Sequence, residues 1–432
     1  MAGGSDFQVV FLLIGLFLIF IKSVHVLMKR LDLPDVLGEV SLGFILGPSL
    51  IGIYHLKDHP ESLLSSLTFL GLNQNILDDS GLILSFIAEF AVLILLFEVG
   101  TEIDFDVLKK VKKPAGFAAM GGIFLPLILG LSFLAIVAGL NRSLVIPEGV
   151  EFWDTGLFMA VALTATSIGI STRIFLDLNK IRTKVAQTVV GAAIFDDIIS
   201  VTALALVIAY VGGLLSGGSV GLIILRIALF FVISFLLFKF GIPWAVDKTK
   251  VVKDRSFVIF FSISFMMLMS VLAQALQLEP IIGAFVAGVI IGNEDDFLDI
   301  HADITPIANW IVPFFFINIG LQIDLGPILS ADTVVATVTL GLSLATIAIL
   351  AKYFGGSLGA KFAGYGKNES KAIGLSMAAK GEVTLIFATT AYSLGYFTDT
   401  LFAAVISLVM IDSLVIPTLL KIGIEKWITD DS

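Results

Sequence analysis

The sequence predicts an all-α polytopic membrane protein with about 13 transmembrane helices. Three observations carry that prediction. Of the 432 residues, 57% are hydrophobic and only 14% charged, and the mean hydropathy is +1.03. Apolar runs recur from Phe7 to Leu420, and a helix needs roughly 20 apolar residues to cross a bilayer. Backbone polar groups in lipid must pair internally, so runs of this length mean helices. The short alternating strands of a membrane barrel are not found in the sequence.

In chain order, the spans are expected near 6–28, 34–53, 82–101, 115–139, 152–177, 185–211, 218–243, 256–276, 279–292, 305–323, 331–360, 371–395 and 398–420. The first, from Phe7 to Met28, is too long for a signal-peptide core, and no small-residue cleavage site follows it. Connections are short except 54–81, which carries His55, His59, Asp78 and Asp79 and has room for a surface helix. Lys and Arg concentrate in cytoplasmic loops. With the N-terminus outside, eighteen of the 26 basic residues fall in loops on the inner side, and only Lys57 and Arg142 in outer loops. The expected topology is therefore N-out, C-in. The stretch after the last span is too short to hold a nucleotide-binding regulatory domain before Ser432.

Composition removes several classes of function. Cysteine is absent, which excludes disulfides, thiolate metal sites and cysteine nucleophiles. The net charge of −10 and the lack of a basic stripe with interleaved aromatics argue against nucleic acid as a partner. An enzyme is not expected, because no nucleophile–base constellation occurs and His25, His55, His59 and His301 are scattered. No cofactor is implied.

The main chemical signal is Asp196-Asp197, near the middle of the otherwise apolar sixth span. A charge at the bilayer centre costs roughly 3 kcal/mol, so such residues face a water-filled cavity or a partner. Burial raises a carboxylate's affinity for protons and a nearby cation lowers it. A carboxylate poised between these effects holds a proton or a metal ion in turn, which is the simplest basis for exchange. The alternative is a structural ion pair. Adjacent acids on a helix point about 100° apart, so one can coordinate an ion while the other meets a base. That divergence also argues against an aspartic protease, whose acids converge on one water. Lys352 is a candidate partner; its alternative is a lysine snorkelling near a helix end.

Two spans carry interruptions. The fifth contains Thr164-Ala-Thr166-Ser167, and the twelfth contains Lys380-Gly381-Glu382. Discontinuous helices at matching positions in two halves point to a transporter site, and their ends expose partial charges that Lys380 and Glu382 could neutralise. Spans 4–6 and 11–13 would correspond as inverted repeats with two crossed discontinuous helices. Asp412 in span 13 then matches the acid-bearing span 6 and is a possible extra acid at the crossing. The glycines of Gly38, Gly43 and Gly47 and of Gly283 and Gly288 read as packing seams, a dimer seam among the options. Glu39, Glu89, Glu98 and Glu102 read as helix-end acids in local pairs.

Taken together, Pro34-Asp-Val-Leu-Gly38-Glu39 with Gly43 and Gly47-Pro48, Phe97-Glu-Val-Gly-Thr-Glu-Ile-Asp104, Thr164 to Ser167, Asp196-Asp197, Lys352 before Gly-Gly, and Lys380-Gly-Glu382 occur in the order of a known family. Over nearly its whole length the chain resembles the monovalent cation:proton antiporter superfamily, in its second branch of bacterial Na+/H+ and Kef-type K+/H+ antiporters. The resemblance implies a multi-pass protein of the prokaryotic inner membrane and a homodimer. It implies a scaffold (residues 1–110 and 251–328), a mobile core (111–212 and 329–432) moving as an elevator, and a linker helix (213–250). It implies Asp197 as the main Na+ ligand, Asp196 as the acid paired with Lys352, and contributions from Thr166 and Ser167 at the crossing. Lys380 stands where the family usually has Arg, Asp412 where hydroxyl residues are usual, and Glu98 is atypical. The paired acids favour electrogenic exchange of Na+ (or Li+) for H+. Competing readings are K+/H+ exchange on the same scaffold, a channel or non-transporting sensor, and sodium-coupled symport of an organic anion. A channel would show a repeated filter or rings of pore residues, and a symporter would want a larger polar cavity.

Overall fold

The computed structural model describes residues 4–47, 74–103, 105–212, 217–242, 255–294, 300–321 and 334–428. Among them every regular element is helical. The α-helices are α1 (Gly4–Leu31), α2 (Asp35–Leu46), α3 (Gln74–Thr101), α4 (Phe105–Leu140), α5 (Phe152–Thr164), α6 (Ile168–Asp177), α7 (Lys184–Val211) and α8 (Gly217–Leu236). They continue with α9 (Arg255–Ala275), α10 (Pro280–Gly292), α11 (Ile300–Leu321), α12 (Val334–Phe362), α13 (Lys367–Met377), α14 (Glu382–Ser393) and α15 (Asp399–Trp427). Nine helical stretches of the described residues are long and apolar enough to cross a membrane, and α10 and Val383–Ser393 are shorter apolar helices. The surface helix expected within 54–81 falls mostly outside the described residues; from Gln74 the chain is already in α3.

The expected spans at 152–177 and 371–395 are each two helices. The first breaks between α5 and α6, the second between α13 and α14. The acid-bearing helices that follow them start alike. Thr183 and Thr398 cap α7 and α15, their hydroxyl oxygens accepting from Ala186 N at 3.2 Å and Leu401 N at 3.1 Å. Other boundaries moved. α4 begins at Phe105 rather than near 115, because Lys109, Lys110, Lys112 and Lys113 continue the helix beyond the apolar stretch.

Two groups of helices pack among themselves. One comprises α1–α3 with α9–α11, the other α4–α7 with α12–α15. α15 and α6 bridge them by touching α2, and α6 also touches α3. The longest seam joins α4 to α12, and it is glycine-built. A Cβ on Gly355 would run into the Gly121 carbonyl, and one on Gly359 into the Phe117 carbonyl. Small residues let helix backbones meet directly where lipid gives no hydrophobic drive. Gly43 faces Ile317 and Gly320, Gly288 faces Phe97 and Gly100, and Gly283 faces Met269. These glycines are therefore used up within one chain, which removes the dimer option for them.

Contacts tie the loops into two ends. At one end, Lys421 binds Asp32 at 2.7 Å, Arg182 binds Glu102, Lys180 binds the Ile428 carbonyl, and Arg255 binds Asp303 at 2.7 Å. At the other, Thr155 binds the Tyr396 carbonyl and Thr398 the Leu144 carbonyl, 2.8 and 2.7 Å. Each of these contacts joins helix ends or connections that the charge pattern assigns to one side. Glu102 is the hub of the first end, since His301 also reaches it at 2.7 Å. Burial opposes its charge, yet the hydrogen bonds and charges of His301 and Arg182 hold its carboxyl down at about 2.

Two expectations follow. Gly355→Ala should force α4 and α12 apart and lower the melting temperature in detergent, whereas Gly116→Ala, with open space around its Cα, should not; differential scanning fluorimetry separates them. Glu102→Gln should also lower the melting temperature. A carboxyl depressed from 4.5 to about 2 adds stability above pH ~4.5 and loses it as pH falls toward 2. The gap between wild type and variant should therefore close over that window, and a gap constant with pH would contradict the assignment.

Candidate ion site at the crossing of two interrupted helices

The breaks satisfy each other. Residues 165–167 and 378–381 leave peptide groups outside any helix, and such groups inside a bilayer need protein partners. Ser167 N donates to the Ala379 carbonyl at 2.7 Å, and Thr166 Oγ1 donates to the Met377 carbonyl at 3.2 Å. Ser171 Oγ donates to the Ser376 carbonyl at 2.6 Å. The N-terminal end of α6 thus closes the C-terminal end of α13. Lys380 closes the opposite junction: its ammonium donates to the Leu163 and Ala165 carbonyls at the end of α5, at 2.7 and 2.9 Å. A cation there meets the negative pole of the helix dipole. Lys380 N donates to Asp412 Oδ2 at 2.6 Å, and Ser413 Oγ donates to the Lys380 carbonyl at 3.4 Å.

Beside the crossing lies the predicted pair. Lys352 Nζ is 2.9 Å from both Asp196 oxygens and 2.6 Å from Thr166 Oγ1. An ammonium has three protons, and these three acceptors account for them. Both residues are fully buried, so the snorkelling alternative for Lys352 is excluded. A buried pair of this kind stabilises only when its geometry is good, and losing one partner costs about 3–5 kcal/mol. Asp197, next to Asp196, is 2% exposed. It shares a face of α7 with Ser200, three residues on, and Ser200 Oγ lies 3.1 Å from Thr164 Oγ1. That face is therefore turned toward the first break.

The structure thus brings Asp196, Asp197, Thr166, Ser167, Lys352, Lys380 and Asp412 to one buried region. Glu382 begins α14, and its side chain lies outside the described residues. Ser171, Ser200 and Ser413 were not predicted as site residues. Ser200 was findable at one helical turn from the acids; the other two mark close approaches that spacing does not encode. A polar cavity, about 370 Å³, lies away from the crossing at the loop end tied by Glu102 and is lined by Glu98, Arg173, Asp177, His301 and Thr305 among others. Glu102 there is paired, though with the sequence-distant Arg182 and His301 rather than locally, and Glu39 pairs with His25 at 2.6 Å. No cluster of three or more metal-ligating side chains occurs among the described residues.

Known proteins resemble this chain in sequence and in fold. The family described as sodium/hydrogen exchanger, transmembrane, matches residues 14–426. The chain is 31% identical over 416 residues to the high-affinity Na+/H+ antiporter NhaS3 of Synechocystis sp., covering 92% of this chain and 86% of that one. It is 28% identical over 418 residues to the Na+/H+-K+ antiporter GerN of Bacillus cereus, covering 95% of both. The solved structure of the sodium proton antiporter MjNhaP1 from Methanocaldococcus jannaschii, 15% identical, has the same fold at a TM-score of 0.59 over 98% of this chain and 99% of that one. A match that runs through both interrupted helices and the acid pair makes this chain a member of the sodium/hydrogen exchanger family, a multi-pass membrane transporter rather than an enzyme.

Proposed function

We propose that the chain exchanges Na+ (or Li+) for H+ across a prokaryotic inner membrane by elevator-type alternating access, electrogenically, and as a homodimer oriented N-out, C-in. The observation that carries this reading is Asp197, buried at the crossing beside an Asp196–Lys352 pair whose ammonium already has three acceptors. Asp197 is the carboxylate that holds a proton or the cation in turn. As the cation approaches, Asp196 is drawn to it, and Lys352 loses its main acceptor and releases a proton. Thr166 and Ser167 contribute to the crossing that carries the ion. The helices of 111–212 and 329–432 move together past those of 1–110 and 251–328, with 213–250 as the linker. The polar cavity at the Glu102 end supplies a wetted approach from the cytoplasmic side.

K+/H+ exchange at the same site is the second reading, and it is supported by the name of GerN, which includes potassium. Sealed proteoliposomes with an interior pH dye and a preset pH gradient separate the two. Sodium or lithium chloride should dissipate the gradient, choline chloride should not, and Asp197→Asn should abolish the response. A response to potassium alone would move the function to the second reading, and no cation response from folded protein would overturn both.

Lys352→Ala should abolish exchange and also destabilise the protein by about 3–5 kcal/mol, because Asp196 is left charged and alone in the interior. Adding Asp196→Asn should recover part of that stability in thermal melts, while leaving exchange impaired.

A further inference from the structure

Asp412 has no part in the scheme above, and its surroundings are informative. It is fully buried on α15. Its Oδ2 accepts from the backbone N of Lys380, while its Oδ1 takes no hydrogen bond among the described residues. A hydroxyl or an amide oxygen at 412 would satisfy that backbone N–H equally well. What only an acid supplies there is a negative charge. The Lys380 ammonium is fully buried too and rests on two carbonyls. Carbonyl dipoles at a helix end amount to about half a charge, and an isolated buried ammonium is costly.

The second ammonium is close by in the chain of contacts. Lys380 holds the carbonyl of Ala165, and Lys352 holds the hydroxyl of Thr166, the next residue. Two like charges gathered at one crossing repel each other and any entering cation. Lys352 has Asp196 as its counter-charge.

We propose that Asp412 is the counter-charge of Lys380, a positioning residue that sets how tightly the Asp197 site holds its cation. Bases and acids then pair off, Lys352 with Asp196 and Lys380 with Asp412, around the Asp197 site. Removing the charge of Asp412 alone leaves the crossing one unit more positive and weakens cation binding. Removing the charge of Lys380 alone does the reverse. Removing both returns the charge to its starting value.

The test rests on the exchanger reading and uses the full chain in proteoliposomes, with apparent KM for Na+ and kcat measured at fixed pH. Asp412→Asn keeps an acceptor oxygen, and Lys380→Gln keeps a donor for the α5 carbonyls, so each changes mainly charge. Asp412→Asn should raise KM about tenfold, the coupling of unit charges on the order of 10 Å apart in protein. Lys380→Gln should lower KM, and the double variant should return to within about threefold of wild type. Asp412→Glu should keep the wild-type KM. A purely structural role would instead reduce the active fraction, and hence kcat, in every variant without opposite shifts in KM. Unmoved KM in folded Asp412→Asn, or a double variant as impaired as the two single changes combined, would overturn the proposal while leaving the exchanger reading intact. If Asp412→Asn is not recovered as a monodisperse protein, Lys380→Gln decides alone: a lower KM supports the proposal, and an unchanged or higher one overturns it. Wild-type protein without cation-driven proton movement would overturn the exchanger reading and this one with it.

Discussion

A peptide group that leaves its helix inside a bilayer has no water to bond with, and the architecture of this protein is arranged around that constraint. Two helices are broken, and the breaks are placed so that each supplies what the other lacks. Ser167 N meets the Ala379 carbonyl and Lys380 meets the carbonyls of Leu163 and Ala165. Neither interruption would be tolerable alone. The α4–α12 pair that flanks them, with α7 packed against both α5 and α13, holds the two breaks at the distance where this exchange of partners works.

Charge follows the same rule. Each of the buried side chains Asp196, Lys352 and Lys380 is answered by a group on a different helix. Helix ends give half-charges and side chains give whole ones, so the crossing is a small region of strong fields inside an apolar protein.

Much of this was legible in the sequence because charge in an apolar run is expensive. Asp196, Asp197, Lys352, Lys380 and Asp412 stood out for that reason, and the small or hydroxylated residues around Thr166 and Gly381 marked the breaks. Hydropathy was a poorer guide to where helices stop. The lysines from Lys109 to Lys113 look like a loop by polarity, yet they are good helix formers and α4 runs through them. Pairings were the least legible. Nothing in spacing says that Glu102 meets Arg182, 80 residues on, and His301, or that Asp412 takes the backbone of Lys380. The glycine stretches were recognised as seams, but their partners within the chain could not be read from one strand of text.

The seam between α4 and α12 has a mechanical consequence. Gly121 and Gly355 bring backbone against backbone with no layer of side chains between them. Side chains can change rotamer and act as a compliant layer; peptide planes in direct contact cannot. The stiffness of the molecule is therefore uneven, high at this seam and at the like contacts of Gly43 with Ile317 and Gly288 with Phe97. Displacement between helices is taken up more readily at boundaries padded by side chains, such as that around Gly169, where Phe315 and Leu95 fill the space.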